Sequence, residues 1–280
     1  MREVAIIGAG ELGGMVAHAV ARRHGADVVR LVDDHGTAAE GKALDIMQAA
    51  PIERFSTTVV GSRDLSTAAG AHVIVLADRM GGAEWQSDDG VQLLAQLNLT
   101  APRALFVCAG SSQRELVERG TRELLLPRSR IVGSAANALA TAAVALVALE
   151  LDTAPSDVAL AVLGVPPAHM VVAWDGASVG GFALTRVMTE PARRRLDQRI
   201  RALWPIGPYA LASAASLVVQ ALAGRSRQLL TCFVSPDDTS GTRARTAAMP
   251  VRLGPNGLVE VRLPELSVAE RVALDNAMLL

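Results

Sequence analysis

Hydrophobic residues in the first half of the chain form short runs that are separated by longer, helix-like stretches. Each run ends near a Gly, Asp or Ser residue, a pattern typical of parallel strands joined by right-handed crossover helices. The predicted strands are Val4–Ile7, Val28–Val32, Thr57–Val60, Val73–Ala77, Ala104–Cys108 and Ile131–Gly133. The first predicted helix is Met15–Arg23. This half therefore predicts an α/β fold built on a doubly wound parallel sheet.

The second half of the chain mixes strands and long helices without that regular alternation. The predicted strands are Val158–Gly164, Met170–Trp174, Leu229–Ser235, Pro250–Leu253 and Leu258–Arg262, and the predicted helices are Glu190–Leu203 and Tyr209–Ala223. A last helix begins with a capping box, in which Ser267 and Glu270 bond to each other's free backbone amides. We therefore predict a smaller α+β domain and divide the chain into residues 1–135 and 136–280.

Composition and charge exclude several classes of protein. The 280-residue chain has a net charge of −1, which predicts no nucleic-acid or anionic-membrane partner. Its longest apolar stretch, Ala138–Leu149, is too short to span a bilayer, and the first strand begins too early for a signal peptide. Cys108 and Cys232 lie in apolar runs without metal or redox spacing. We therefore expect buried, reduced thiols in a cytoplasmic protein.

Three glycines between the first strand and the first helix carry the clearest chemical signal. Gly8 allows a tight turn off the strand, Gly10 lets the backbone approach a diphosphate, and Gly13 lets the helix pack close to the sheet. Free amides at the start of that helix, where Glu11 and Leu12 lie, favour an anion. The spacing predicts a Rossmann-type dinucleotide site. The alternative is a glycine-rich turn without a ligand.

An acidic residue completes the predicted dinucleotide site. Asp33 ends the second strand about 20 residues after the last glycine, where a carboxylate can accept hydrogen bonds from the ribose hydroxyls. Because a carboxylate repels a 2′-phosphate, we expect NAD rather than NADP as the cofactor. The predicted cofactor-binding residues are Gly8, Gly10, Glu11, Leu12, Gly13 and Asp33.

Several segments resemble one enzyme family, in the same order along nearly the whole chain. The segment Ala39–Ile52 contains Gly-Lys-Ala-Leu-Asp-Ile, which closely resembles the malate and lactate dehydrogenase family. Val162-Leu-Gly with Met170-Val-Val, the helix start at Tyr209, and the segment from Met249 to Glu260 resemble further parts of it. The resemblance implies a Rossmann domain followed by a substrate domain, NAD as cofactor, and a dimer or tetramer.

The residues that the resemblance implies for catalysis are missing. The family's proton-transfer histidine corresponds to Pro166, which cannot exchange a proton. The helix that supplies its aspartate partner and a substrate-binding arginine has no acid or base here before Glu150. Ala109 or a neighbour replaces a substrate-contacting asparagine. The family's mobile loop keeps a single arginine, Arg79, about three places too early.

Two residues stay open as catalytic candidates. His169 lies three residues after Pro166 and could donate a proton only if the strand connection were rebuilt; the alternative is a partly buried or surface histidine. Arg79 could pair with a cofactor phosphate, or it could form a solvated pair with Asp78. Asp88 and Asp89 could bind a metal, but acids at this place are typical of a helix start.

Three hypotheses follow for the function. The first is a catalytically degenerate or repurposed NAD(H)-binding homologue of the 2-hydroxy acid oxidoreductases. The second is an active NAD-dependent oxidoreductase on an atypical substrate, which would use His169, Arg79 or a water. The third is a structural oligomer module with an empty cleft. All three predict a homo-oligomer without nucleic-acid or membrane partners.

Overall fold

The computed structural model describes residues 3–237 and 245–279. Its first half alternates strands and helices. The strands are β1 (Glu3–Ile7), β2 (Val28–Val32), β3 (Thr58–Ser62), β4 (Val73–Leu76), β5 (Leu105–Cys108) and β6 (Ile131–Gly133). The helices are α1 (Glu11–Arg22), α2 (Gly36–Glu53), α3 (Ser87–Thr100) and α4 (Arg114–Arg122). The strands pair in parallel in the order β3-β2-β1-β4-β5-β6, which confirms the doubly wound sheet.

The second half has the predicted mixed character. Its helices are α5 (Ala135–Glu150), α6 (Leu184–Val187), α7 (Glu190–Arg201), α8 (Pro208–Leu222) and α9 (Val268–Leu279). Its strands are β7 (Val158–Ala159), β8 (Val162–Val165), β9 (His169–Val172), β10 (Ser178–Val179), β11 (Phe182–Ala183), β12 (Leu230–Val234), β13 (Ala247–Gly254) and β14 (Gly257–Val261). The capping box is present, because Ser267 N donates to Glu270 at 2.9 Å and Glu270 N to Ser267 at 3.4 Å.

The predicted strand Val158–Gly164 is wrong as a single element. Its first residues form β7, which pairs with β10 in a small sheet, and its last residues belong to β8, which pairs with β9 and β13 in the large sheet. The chain leaves one sheet for the other between Ala159 and Val162. An apolar run cannot reveal this change of partner, because both strands bury apolar residues.

The large sheet continues from the parallel strands into the second half. Gly133 at the end of β6 pairs antiparallel with Phe233 in β12, and β13, β8 and β9 follow. A Cβ atom on Gly133 would lie 2.9 Å from the Phe233 Cβ, so a glycine is needed at this close approach. The division into residues 1–135 and 136–280 falls where α5 begins, and it stays a prediction.

Alternation along β1 explains why helices cover both faces of the sheet. Val4 and Ile6 point into a core shared with α1, α2 and α8, whereas Ala5 and Ile7 point into a second core shared with α3 and α4. Cys108 and Cys232 are buried and free, as expected, and burial raises the pKa of the Cys232 thiol to about 12. Among the described residues, no helix is long and apolar enough to cross a membrane.

Candidate functional site

The glycine turn between β1 and α1 has the geometry that its spacing predicts. Gly8 adopts a φ of +109°, and its N–H donates to Val32 O at 2.7 Å. A Cβ atom on Gly13 would lie 1.9 Å from Gly8 O, and one on Gly8 would lie 2.2 Å from Asp78 O. Lys42 Nζ donates to Gly10 O at 2.6 Å. The turn therefore requires these glycines for its own packing.

The free amides at the start of α1 donate hydrogen bonds to a carboxylate of the chain itself. Leu12 N donates to Asp78 Oδ2 at 3.1 Å, and Gly13 N donates to Asp78 Oδ1 at 2.8 Å. Asp78 lies so close that a Cβ atom on Gly10 would be 2.3 Å from its Cγ. The positive end of the helix dipole favours an anion here, and Asp78 supplies it. The alternative of a solvated pair between Asp78 and Arg79 is therefore wrong, because Asp78 bonds to these amides and Arg79 lies beside Asp89.

Asp78 belongs to a tight hairpin of residues 77–86, which follows β4. Asp78 and Glu84 form a β-bridge, and Trp85 N donates to Ala77 O at 3.2 Å. The Glu84 carboxylate accepts hydrogen bonds from Ser111 N at 3.0 Å and Ser112 N at 2.7 Å, just beyond β5. This 77–86 hairpin thus places one carboxylate on the amides after β1 and another on the amides after β5.

Gln113 adds a third attachment for the 77–86 hairpin. Its side-chain amide donates to Ala77 O at 3.1 Å and to Trp85 O at 3.0 Å, and its Oε1 accepts from Gly110 N at 2.8 Å. Gln113 is fully buried. The base of the hairpin is therefore held to the turn after β5 by side-chain and backbone bonds together.

Asp33 lies where the sequence predicts it, but backbone amides already bond to its carboxylate. Its Oδ2 accepts from Ala9 N at 2.7 Å and Met80 N at 2.9 Å, and its Oδ1 accepts from His35 N at 2.9 Å. Burial raises the pKa of Asp33, but these three hydrogen bonds outweigh it, and the pKa lies below its usual value. Through Met80, Asp33 ties the 77–86 hairpin to the glycine turn.

The Arg79 side chain lies beside Trp85 and helix α3. Its guanidinium stacks over the Trp85 ring at 4.5 Å and lies 3.6 Å from Asp89. Beside it is a cavity of about 310 Å³ that opens between the ends of β2 and β4. Asp33, Asp34, Arg63, Arg79, Trp85 and Gln92 are among its lining residues. Arg79 Nε and Trp85 Nε1 are buried and have no hydrogen-bond partner among the described residues.

The second half contributes no acid–base group to this place among the described residues. Pro166 lies in the turn between β8 and β9, and His169, the first residue of β9, is exposed. Helix α5 buries Ala140 and Ala143, and its single charged residue, Glu150, pairs with arginines of α7. No described contact links His169 to the glycine turn.

The structure thus groups some of the predicted residues and separates others. Gly8, Gly10, Leu12, Gly13 and Asp33 lie against Asp78 or Met80 of the 77–86 hairpin, whereas Glu11 is exposed in the first turn of α1. Asp88 and Asp89 begin α3, as a helix start predicts. No group of three or more metal-ligating side chains occurs within residues 3–237 and 245–279.

The sequence alone did not identify Asp78 and Glu84 as acceptors of hydrogen bonds from backbone amides. One signal for Asp78 was available. An acid directly after β4 lies at the same edge of a parallel sheet as the turn after β1, because the carboxyl ends of parallel strands share one edge.

Comparisons with known proteins agree on one group of enzymes. No protein-family model matches the chain. A malate dehydrogenase of Trichormus variabilis is 30% identical over 292 residues, which cover 98% of this chain and 90% of the relative. A malate dehydrogenase of Thermomicrobium roseum is 28% identical, with 98% and 94% covered.

Solved structures of related enzymes share the fold. Malate dehydrogenase from Salinibacter ruber superimposes with a TM-score of 0.87 at 23% identity, covering 98% of this chain and 93% of that one. Lactate dehydrogenase from Cryptosporidium parvum, in complex with lactic acid and β-nicotinamide adenine dinucleotide, gives 0.87 at 22% identity, covering 99% and 94%.

Proposed function

The chain belongs to the malate and lactate dehydrogenase family, and from this premise we propose that it is a catalytically degenerate member. In this proposal it keeps a cleft for NAD(H) but does not transfer hydride to a 2-oxo acid. Gly8, Gly10, Glu11, Leu12, Gly13 and Asp33 form the cofactor side of the cleft. Neither His169 nor Arg79 acts as a catalytic group.

One observation carries the proposal: no described side chain in the second half can move a proton at the cleft. Pro166 stands in the β8–β9 turn, and α5 offers buried alanines, Ala140 and Ala143, over its inner turns. A positioned acid–base group contributes about 10²–10⁴-fold to a rate, and a charge stabiliser on the reacting oxygen about 10²–10³-fold. The two effects overlap, but losing both leaves little hydride transfer.

The residues fit NAD(H) only in part. The glycine turn, the start of α1 and the cavity beside Asp33 suit a dinucleotide. The diphosphate does not fit while Asp78 bonds to the amides of Leu12 and Gly13, because two anions cannot share these donors. The proposal is therefore that NAD(H) binds when Asp78 has moved away.

The closed cleft also favours a second candidate function, the structural oligomer module. If Asp78 and Glu84 never leave their amides, the fold serves assembly alone. Exposed apolar side chains on α2, Leu44 and Ile52, suit a dimer or tetramer. Size-exclusion chromatography with light scattering tests the oligomer, and a monomer at working concentration contradicts it. For either function we propose that the protein is cytoplasmic.

The experiment follows NADH fluorescence and absorbance over time with stoichiometric protein and a panel of oxo acids, ketones and aldehydes. We expect no NADH oxidation with any of them. Running the same panel on Asp78→Ala, which frees the α1 amides, separates missing chemistry from a blocked cofactor. Decay with one substrate in either protein would instead support an active oxidoreductase on an atypical substrate.

A further inference from the structure

We propose that the 77–86 hairpin is an internal plug of the nucleotide cleft, and that Asp78 competes directly with the diphosphate of NAD(H). The competing bonds are those of Leu12 N and Gly13 N to Asp78, at 3.1 and 2.8 Å. This inference rests on the proposed NAD(H) cleft. It adds that the affinity for NAD(H) depends on how often the plug opens.

The competition follows from space as well as from charge. A Cβ atom on Gly10 would lie 2.3 Å from Asp78 Cγ and 2.3 Å from Asp78 Oδ2. The room that Gly10 leaves beside the turn is thus filled by the Asp78 carboxylate. A diphosphate needs the same room and the same two amides, so the two forms exclude each other.

The plug opens only if several hydrogen bonds break together. Glu84 binds the amides of Ser111 and Ser112, and Gln113 binds both ends of the hairpin. Met80 N donates to Asp33 at 2.9 Å. Hydrogen bonds to carboxylates are about twice as strong as neutral ones. The closed form therefore dominates, and the apparent dissociation constant rises as the open fraction falls.

The tip of the hairpin gives the plug a path of movement. Gly81 adopts a φ of +67°, and a Cβ atom there would meet no atom of residues 3–237 or 245–279 within 4 Å, so the tip does not pack against this part of the chain. Met80 beside it is exposed. Opening therefore leaves the tip free to move, but it breaks the polar anchors at the base of the hairpin and loosens the packing of Trp85 against the second core.

The test compares Asp78→Ala with a matched control, Asp88→Ala. Asp88 carries the same charge, lies in the first turn of α3 and pairs with Arg119 at 2.8 Å, away from the α1 amides. Isothermal titration with NADH, and separately with inorganic pyrophosphate, measures each dissociation constant. We expect Asp78→Ala to bind both probes at least about tenfold more tightly than wild type. The Asp88→Ala control should bind as wild type does.

Equal NADH affinity of wild type and Asp78→Ala would overturn the plug and leave the NAD(H) cleft intact. If no variant binds NADH, the proposed cleft fails and the competition for its diphosphate fails with it, whereas hydrogen exchange still tests whether Asp78 covers the α1 amides. In wild type without ligand, the amides of Leu12 and Gly13 should exchange at least about tenfold more slowly than in Asp78→Ala. Equal exchange would overturn the plug. Asp78→Asn, which keeps the size of the side chain, replaces Asp78→Ala if the latter does not fold.

Discussion

The turn after β1 and the turn between β8 and β9 both resemble ligand-binding turns of the family, but only the first keeps the residue types of that resemblance. The first retains Gly8, Gly10 and Gly13, each in close contact with neighbouring atoms. The second has Pro166, and its His169 is exposed. Packing needs the glycines with or without a ligand, whereas only a substrate needs a proton donor. A complete set of these glycines therefore indicates that the turn forms. It does not indicate that a dinucleotide binds there.

The largest effect that can test this comparison is on stability. Gly13→Ala places a Cβ atom 1.9 Å from Gly8 O, so we expect a loss of about 3 kcal/mol or more in the free energy of unfolding. Gly41→Ala is the matched control, because no described atom lies within 4 Å of a Cβ atom there and alanine favours helix α2 by about 0.5–1 kcal/mol. Urea unfolding without ligand measures both. A mild effect of Gly13→Ala would mean that the glycines serve only a ligand.

The next effect concerns Asp33, whose carboxylate accepts three backbone hydrogen bonds beside the glycine turn. Asp33→Asn weakens the hydrogen bonds from Ala9, His35 and Met80, and we expect a loss of roughly 2–3 kcal/mol near pH 7. Because the folded-state pKa is lowered, the advantage of wild type is complete above the ordinary value of about 4 and falls as the pH drops through the folded-state pKa. Unfolding from pH 7 to pH 3 measures it, and an advantage that grows on acidification would contradict this role.

The sequence predicts the frame of the molecule well, for reasons that are local. Short apolar runs predict β1 to β6, and Ser267 with Glu270 predicts the start of α9. These features depend on neighbours in the chain. The break between β7 and β8 depends on which sheet each strand joins, and no local pattern contains that information.

Local sequence patterns do not predict that the Asp78 carboxylate binds at the glycine turn. Leu12 and Asp78 are 66 residues apart, and they meet only because β4 pairs beside β1. Strand order was implicit in the predicted fold, but the direction of the Asp78 side chain was not. The predicted Asp33 is in place, and its bond to Met80 depends on the conformation of the 77–86 hairpin.

A smaller effect tests the second anchor of the hairpin. Glu84→Gln replaces the carboxylate that caps the amides of Ser111 and Ser112, and we expect a loss of about 1 kcal/mol. Glu115→Gln, an exposed residue in the first turn of α4, makes the same chemical change with a loss of only a few tenths. Thermal unfolding of both variants measures the difference. Equal effects would show that Glu84 does not hold the hairpin.

The smallest expected effect is at the β8–β9 turn, where Pro166 cannot exchange a proton. His169 is exposed and pairs with Val165 through the backbone, so His169→Ala should change stability by less than about 0.5 kcal/mol. It should also leave NADH binding unchanged, because no described contact joins it to the glycine turn. Titration with NADH and a substrate panel measure both. If His169→Ala abolished an NADH-dependent reaction of the wild type, the proton donor would have moved along the turn, and the contrast between the two turns would disappear.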